Sequence, residues 1–129
     1  MFIQIKKSDI KPIIEIFKSE SYIKRVEESV NSVRIYGEDS YLLLKSGPNQ
    51  QLVVFLFHLR LDSVRLNLLK EIESIATSLG FNGIEIESVK GSKFISLLQR
   101  LEYKPKSGKL LTDHPSHFIK DLEKASEQA

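Results

Sequence analysis

The chain has 129 residues, enough for one hydrophobic core and too few for two. Its composition (41% hydrophobic, 28% charged, 9% aromatic) is that of a globular domain and excludes a low-complexity or disordered chain. The 19 basic and 17 acidic residues are interspersed, which argues against nucleic acid as a partner, and the absence of cysteine excludes disulfides, thiolate nucleophiles and cysteine-based zinc sites.

No apolar stretch approaches the ~20 residues that a membrane span needs, so no membrane partner is expected. The opening MFIQIKKSDI sets its apolar residues before its lysines, the reverse of a signal peptide, and reads as a strand over residues 2–6. A cytoplasmic protein is the expectation.

After that strand, Ser8 or Asp9 can cap a helix, with Pro12 tolerated in its first turn. Ile10, Ile13, Ile14 and Phe17 then recur at helical spacing on one stripe. A second helix is predicted from about Glu20 to Val30, burying Tyr22, Ile23, Val26 and Val30. Strand signals follow at Val33–Tyr36 and Tyr41–Lys45, and Ser46-Gly47-Pro48-Asn49-Gln50 reads as a hairpin loop. Leu52–Leu59 is apolar apart from His58, as in a central strand covered on both faces.

The clearest helix comes next. Val64, Leu68, Ile72, Ile75, Ala76 and Leu79 make one stripe, and Gly80 stands where a left-handed C-cap belongs. In residues 83–88, Ile84 and Ile86 point one way and Glu85 and Glu87 the other. Ser92 caps a fourth helix carrying Phe94, Ile95, Leu98 and Leu101. A short strand around Lys109–Thr112 and a last helix from about Pro115 to Ala125 complete the reading. The chain is thus one α/β (α+β) domain over 1–129, with its core in about 2–112 and a C-terminal helix at about 115–125.

The order β-α-α-β-β-β-α-β-α-β, with a mixed sheet of six to seven strands, resembles the Gcn5-related N-acetyltransferase family over roughly Phe2 to Thr112. Leu68-Leu69-Lys70, Leu79-Gly80-Phe81 and Leu101-Glu102-Tyr103 are similar to that family's packing motifs, the last matching a frequent Leu-Gly-Phe. The resemblance implies acetyl-CoA as a ligand, held where a glycine-rich loop brings backbone amides to a pyrophosphate at a helix N-terminus. It places Arg60, Ser63, Val64 and Arg65 in that loop, with Ser63 and Arg65 where glycines are usual. It also places Leu98 at the position of an acidic tyrosine, and Gly91 near that of an asparagine.

Three residues could act as a base on an amine: Glu85 and Glu87 on one strand face, and His58 at the end of the central strand. Their ordinary readings are solvated carboxylates and a hydrogen-bonded strand-end histidine. Lys90-Gly91-Ser92-Lys93 could hold an anion at a helix start, with Ser92 as a plain N-cap the simpler reading. Asp113, His114 and His117 are possible metal ligands, but a structural zinc site needs four and Pro115 explains the segment as a helix start. No metal is expected.

The substituted loop favours an acetyltransferase-like domain without catalysis or cofactor, acting through a protein partner or self-association. Size and pattern also resemble compact acetyltransferase-like proteins of tailed phages, which implies an assembly role and a place in the host cytoplasm or virion. The alternative is an acyl-CoA-dependent N-acetyltransferase with an atypical loop.

Overall fold

The structure, a computed structural model, describes residues 3–20, 22–57, 62–87, 89, 92–105 and 117–122. Its elements are helix α1 (Lys11–Glu20), strands β1 (Ile23–Glu28), β2 (Ser32–Gly37), β3 (Tyr41–Ser46) and β4 (Gln51–Phe57), helix α2 (Asp62–Leu79), strand β5 (Gly83–Glu87), helix α3 (Ser92–Arg100), and strands β6 (Lys104–Pro105) and β7 (Phe118–Asp121). They form a mixed α/β fold whose seven strands make one sheet in the order β1-β2-β3-β4-β5-β7-β6. Every neighbouring pair is antiparallel except β4–β5.

Two expectations near the N-terminus fail for identifiable reasons. Residues 3–6 form no strand, although Ile5 is buried as its alternation requires. At the end of this segment backbone donors go to side chains instead: Lys6 N–H to an Asp9 carboxylate oxygen at 3.0 Å and, in the following residue, Lys7 N–H to Glu28 Oε1 at 2.8 Å. A 3-10 turn over Lys7–Ile10 then leads into α1, which buries Ile13 and Phe17.

The predicted second helix is strand β1. A β-bulge between Ile23 and Arg25 explains the misleading period. The extra residue lets Ile23 and Val26, three apart, pair with Gly37 and Ile35 on one face of the sheet, so a helical spacing is satisfied by a strand. Tyr22 and Val30, which the helix would have buried, are 72% and 81% exposed.

The middle of the chain follows the sequence reading. β2, β3 and β4 form a meander, and the β3–β4 loop turns through Asn49 and Gln50 at φ of 60° and 57°. The succession β4, α2, β5, α3, on which the acetyltransferase resemblance mainly rests, is present. The C-terminal part differs. Phe118–Asp121, expected within a helix, is β7, which lies between β5 and β6. Four residues with a central charge are too few to display a strand period, whereas the tertiary partners Ile84 and Ile86 settle the matter. The strand expected at Lys109–Thr112 lies outside the described residues, and Lys104–Pro105 forms β6.

One face of the sheet carries the core. Val33, Ile35, Leu42, Leu44, Leu52, Val54, Ile84, Ile86 and Phe118 alternate onto it in register, beneath Phe17, Leu68, Leu69, Ile72 and Ala76 of the helices. Each of these side chains larger than alanine contributes roughly 1.5–3 kcal/mol by leaving water. The crossovers β4–α2–β5 and β5–α3–β6 advance across the sheet in the same direction. Right-handed crossovers in one direction put both helices on one face, and α2 packs against α1 and α3 there. Among the described residues, the opposite face keeps its side chains half-buried: Tyr36, Tyr41, Leu43, Val53, Phe55, Glu85 and Glu87.

The two helix ends singled out by the resemblance prove to be one device used twice. At the end of α2, Phe81 N–H reaches Ala76 C=O at 2.9 Å and Gly80 N–H reaches Thr77 C=O at 3.2 Å, with Gly80 at φ 95°. At the end of α3, Tyr103 N–H reaches Leu98 C=O at 2.9 Å and Glu102 N–H reaches Gln99 C=O at 3.0 Å, with Glu102 at φ 72°. Both are Schellman caps, closed by the buried aromatic residues Phe81 and Tyr103.

Candidate functional site

The open face of the sheet is where the chemistry-bearing side chains collect. β5 pairs with β4 on one side and β7 on the other, so its backbone is fixed from both edges. Its alternation sends Ile84 and Ile86 into the core and Glu85 and Glu87 to the open face, half-buried. His117 directly precedes β7; because Phe118 pairs with Ile86, the antiparallel register carries His117 to the level of Glu87. One ligand atom from each of Glu85, Glu87 and His117 lies within 4.8 Å of the others. The register flanks Glu85 with Val53 and Ile119, and Glu87 with Phe55.

Next to this group runs an aromatic band. The rings of Tyr36 and Tyr41 have centroids 5.2 Å apart, and Tyr41 meets Phe55 edge-on at 5.8 Å. The Arg25 guanidinium sits 3.9 Å from the Tyr36 ring centroid and donates from Nε to Glu27 at 2.8 Å. The hydrogen bond from Arg25 is the chief reason that the Glu27 carboxyl lies below its ordinary range.

On the helix face, Tyr103 Oη donates to Glu73 Oε2 at 2.8 Å, and Lys120 Nζ lies 3.1 Å from Glu73 Oε1. Burial, then the Glu73 charge, pushes the Tyr103 phenol well above its ordinary value. These three residues pin α2, the end of α3 and β7 together. A groove of about 500 Å³ lined by Gln99, Tyr103, Lys104 and Lys120 opens beside them; it does not include Glu85, Glu87 or His117.

Of the base candidates, Glu85 and Glu87 come together with His117, a partner that the sequence reading had placed at a helix start with His114. His58 lies outside the described residues, as do Asp113 and His114. The signal for His117 was the phase of β7 relative to β5, which depends on a long-range register and is not written locally.

Of the cofactor-loop candidates, Arg60 lies outside the described residues and Ser63 is described only as part of α2. α2 starts at Asp62, so Ser63, Val64 and Arg65 stand in its first turn rather than in a preceding loop. The amides of Ser63 and Val64 are among those a helix leaves without an internal partner, which suits an anion such as a pyrophosphate. The Arg65 guanidinium lies 4.7 Å from the Phe94 ring centroid, so α3 takes up the long side chain. Gly91 lies outside the described residues, and Leu98 is buried in the core.

No protein-family model and no curated protein matches the chain. Among solved structures, a domain from Methanocaldococcus jannaschii shares the fold over 95% of this chain and 97% of its own, with a TM-score of 0.52 and 7% identity. A presumed N-acetyltransferase from Lactobacillus plantarum is similar over 70% of this chain and 68% of its own, at 18% identity and a TM-score of 0.45. An acetyltransferase of the GNAT family from Staphylococcus aureus is similar over 92% and 81%, at 14% identity and the same TM-score of 0.45. The last two likenesses are too loose to carry an activity. No described helix is long and apolar enough to cross a membrane.

Proposed function

We propose that the chain is an acetyltransferase-like domain that acts through protein contacts made by the open face of its sheet. The observation that carries this reading is the aromatic band of Tyr36, Tyr41 and Phe55, half-buried on a face that no described helix covers. Aromatic side chains with a charged rim, here Arg25, Glu27 and Arg34, are what the centre and edge of a protein interface use. In its narrower form the contact serves assembly, as in the tailed-phage proteins that the chain resembles.

Sedimentation over a range of concentrations tests it, with the second copy of the chain as the first partner examined. Association that Tyr41→Glu abolishes, with the melting temperature unchanged, supports the reading. A monomer throughout, together with a melting temperature that rises on adding acetyl-CoA but not free nucleotide, overturns it.

That second outcome belongs to an acyl-CoA-dependent N-acetyltransferase. The pairing of Glu85 and Glu87 with His117 near the carboxyl end of β5 favours this second reading, because an acceptor amine must lose a proton before it attacks a thioester. There the first-turn amides of α2 would hold acetyl-CoA, and a β5 carboxylate would take the proton. Acetyl transfer to an amine, lost in Glu87→Gln, is the result this reading requires.

A further inference from the structure

We infer that Glu85, Glu87 and His117 form a site for a divalent first-row cation of the zinc or manganese kind on the open face of the sheet. This goes beyond either functional reading and depends on neither.

The geometry comes first. Two carboxylates at alternate positions of β5 and an imidazole at the same level of the neighbouring chain segment all project from one face. Their ligand atoms lie within 4.8 Å of one another. Bonds of about 2.0–2.2 Å to oxygen and nitrogen put tetrahedral ligands roughly 3.5 Å apart, so side-chain rotations close the set without moving the backbone. β5 has ladder partners on both edges, and a site built on such a strand is held more firmly than one on a loop.

Charge and chemistry agree with the geometry. The two carboxylates carry two negative charges on one half-buried patch, and Val53, Phe55 and Ile119 beside them reduce screening by water. A divalent cation neutralises that pair. Imidazole with carboxylates, and no thiolate, suits zinc, manganese or ferrous iron and not copper(I). Three protein ligands also leave an outward coordination position for water or an oxygen of a bound partner, unlike a closed four-ligand structural site. Glu85 and His117 already engage neighbouring groups, so a cation has to compete with those contacts and the affinity is moderate.

Calorimetric titration of ZnCl2 into the full chain is the test, run beside the variants His117→Ala, Glu87→Gln, His58→Ala and His114→Ala. The expected result is one ion per chain, with affinity reduced at least about tenfold in the His117 and Glu87 variants and unchanged in the other two. No binding up to about 1 mM zinc overturns the proposal. So does binding that survives His117→Ala, or that disappears in His58→Ala or His114→Ala, which would mark an adventitious surface ion only. Paramagnetic broadening by MnCl2 on the unaltered chain needs no variant to fold. Broadening centred on residues 85–87 and 117–119 is the outcome expected, and broadening centred elsewhere overturns the site.

Discussion

Glu102 occupies a backbone conformation at φ 72° that an L-residue adopts only at a cost, in the cap position where Gly80 serves α2. Glu102→Gly is therefore expected to stabilise the domain by about 0.5–1 kcal/mol, partly offset by greater freedom of the unfolded chain, and Gly80→Ala to destabilise it by about 1 kcal/mol. Denaturant midpoints of the two variants check the pair of opposite signs. The sequence alone exposed both positions, because Leu-Gly-Phe and Leu-Glu-Tyr share a pattern, but not the strain at Glu102.

Tyr103 supplies a second residue-scale expectation. Its phenol is protonated in the folded protein at pH values where an unfolded tyrosine, with a pKa near ~10, already ionises. The folded state then binds the extra proton, so the stability from this group is complete below about pH 10 and falls as pH rises beyond it. Tyr103→Phe removes the hydrogen bond to Glu73 while Lys120 still pairs with that carboxylate, at a cost of about 1–2 kcal/mol near neutral pH. Thermal unfolding from pH 8 to 11 should show this cost shrinking at the alkaline end. A difference that is flat with pH would mean that the phenol titrates alike in both states.

Among the elements, legibility followed the length of the periodic run. α2, with eighteen residues and a continuous stripe, was read to its cap, and β5 was read face by face, which found Glu85 and Glu87. β1 was misread because its bulge gives two core residues a spacing of three, and β7 because four residues carry almost no period. The site was half legible for the same reason: β5 announces its own faces, while His117 depends on a register set by the core contacts of Phe118.

The bulge allows a test by deletion. Removing Lys24 leaves Ile23 opposite Gly37 and Arg25 opposite Tyr36 in an uninterrupted ladder. The shortened chain should fold with a stability change within about 1 kcal/mol, whereas removing Val26 takes a core side chain and shifts the strand's phase, costing several. Circular dichroism with denaturant titration of both deletions distinguishes them. Comparable losses in the two would show that the bulge is itself required.

At the scale of the whole molecule, the sheet has two halves of different character. β1 to β4 pair with their sequence neighbours, while β5, β7 and β6 are assembled out of sequence order. Phe118 is the wholly buried side chain by which β7 holds that second half. Phe118→Ala is expected to cost about 3–5 kcal/mol, near the entire stability of some domains of this size. Hydrogen exchange should report the loss first at the β5–β7 amides, with β2, β3 and β4 the last to open. Uniform loss of protection across all seven strands would instead show that the halves unfold as one unit.

The place of β7 between β5 and β6 also bears on how the protein is made. As the chain leaves a ribosome, the meander can pair as each strand emerges, but β5 must wait through α3, β6 and the intervening segment before its second neighbour arrives. For that interval the nascent chain offers an unpaired strand bearing Ile84 and Ile86, the kind of edge that another nascent chain can occupy wrongly. A slow stretch of translation after β5 has left the ribosome and before β7 has would lengthen the exposure.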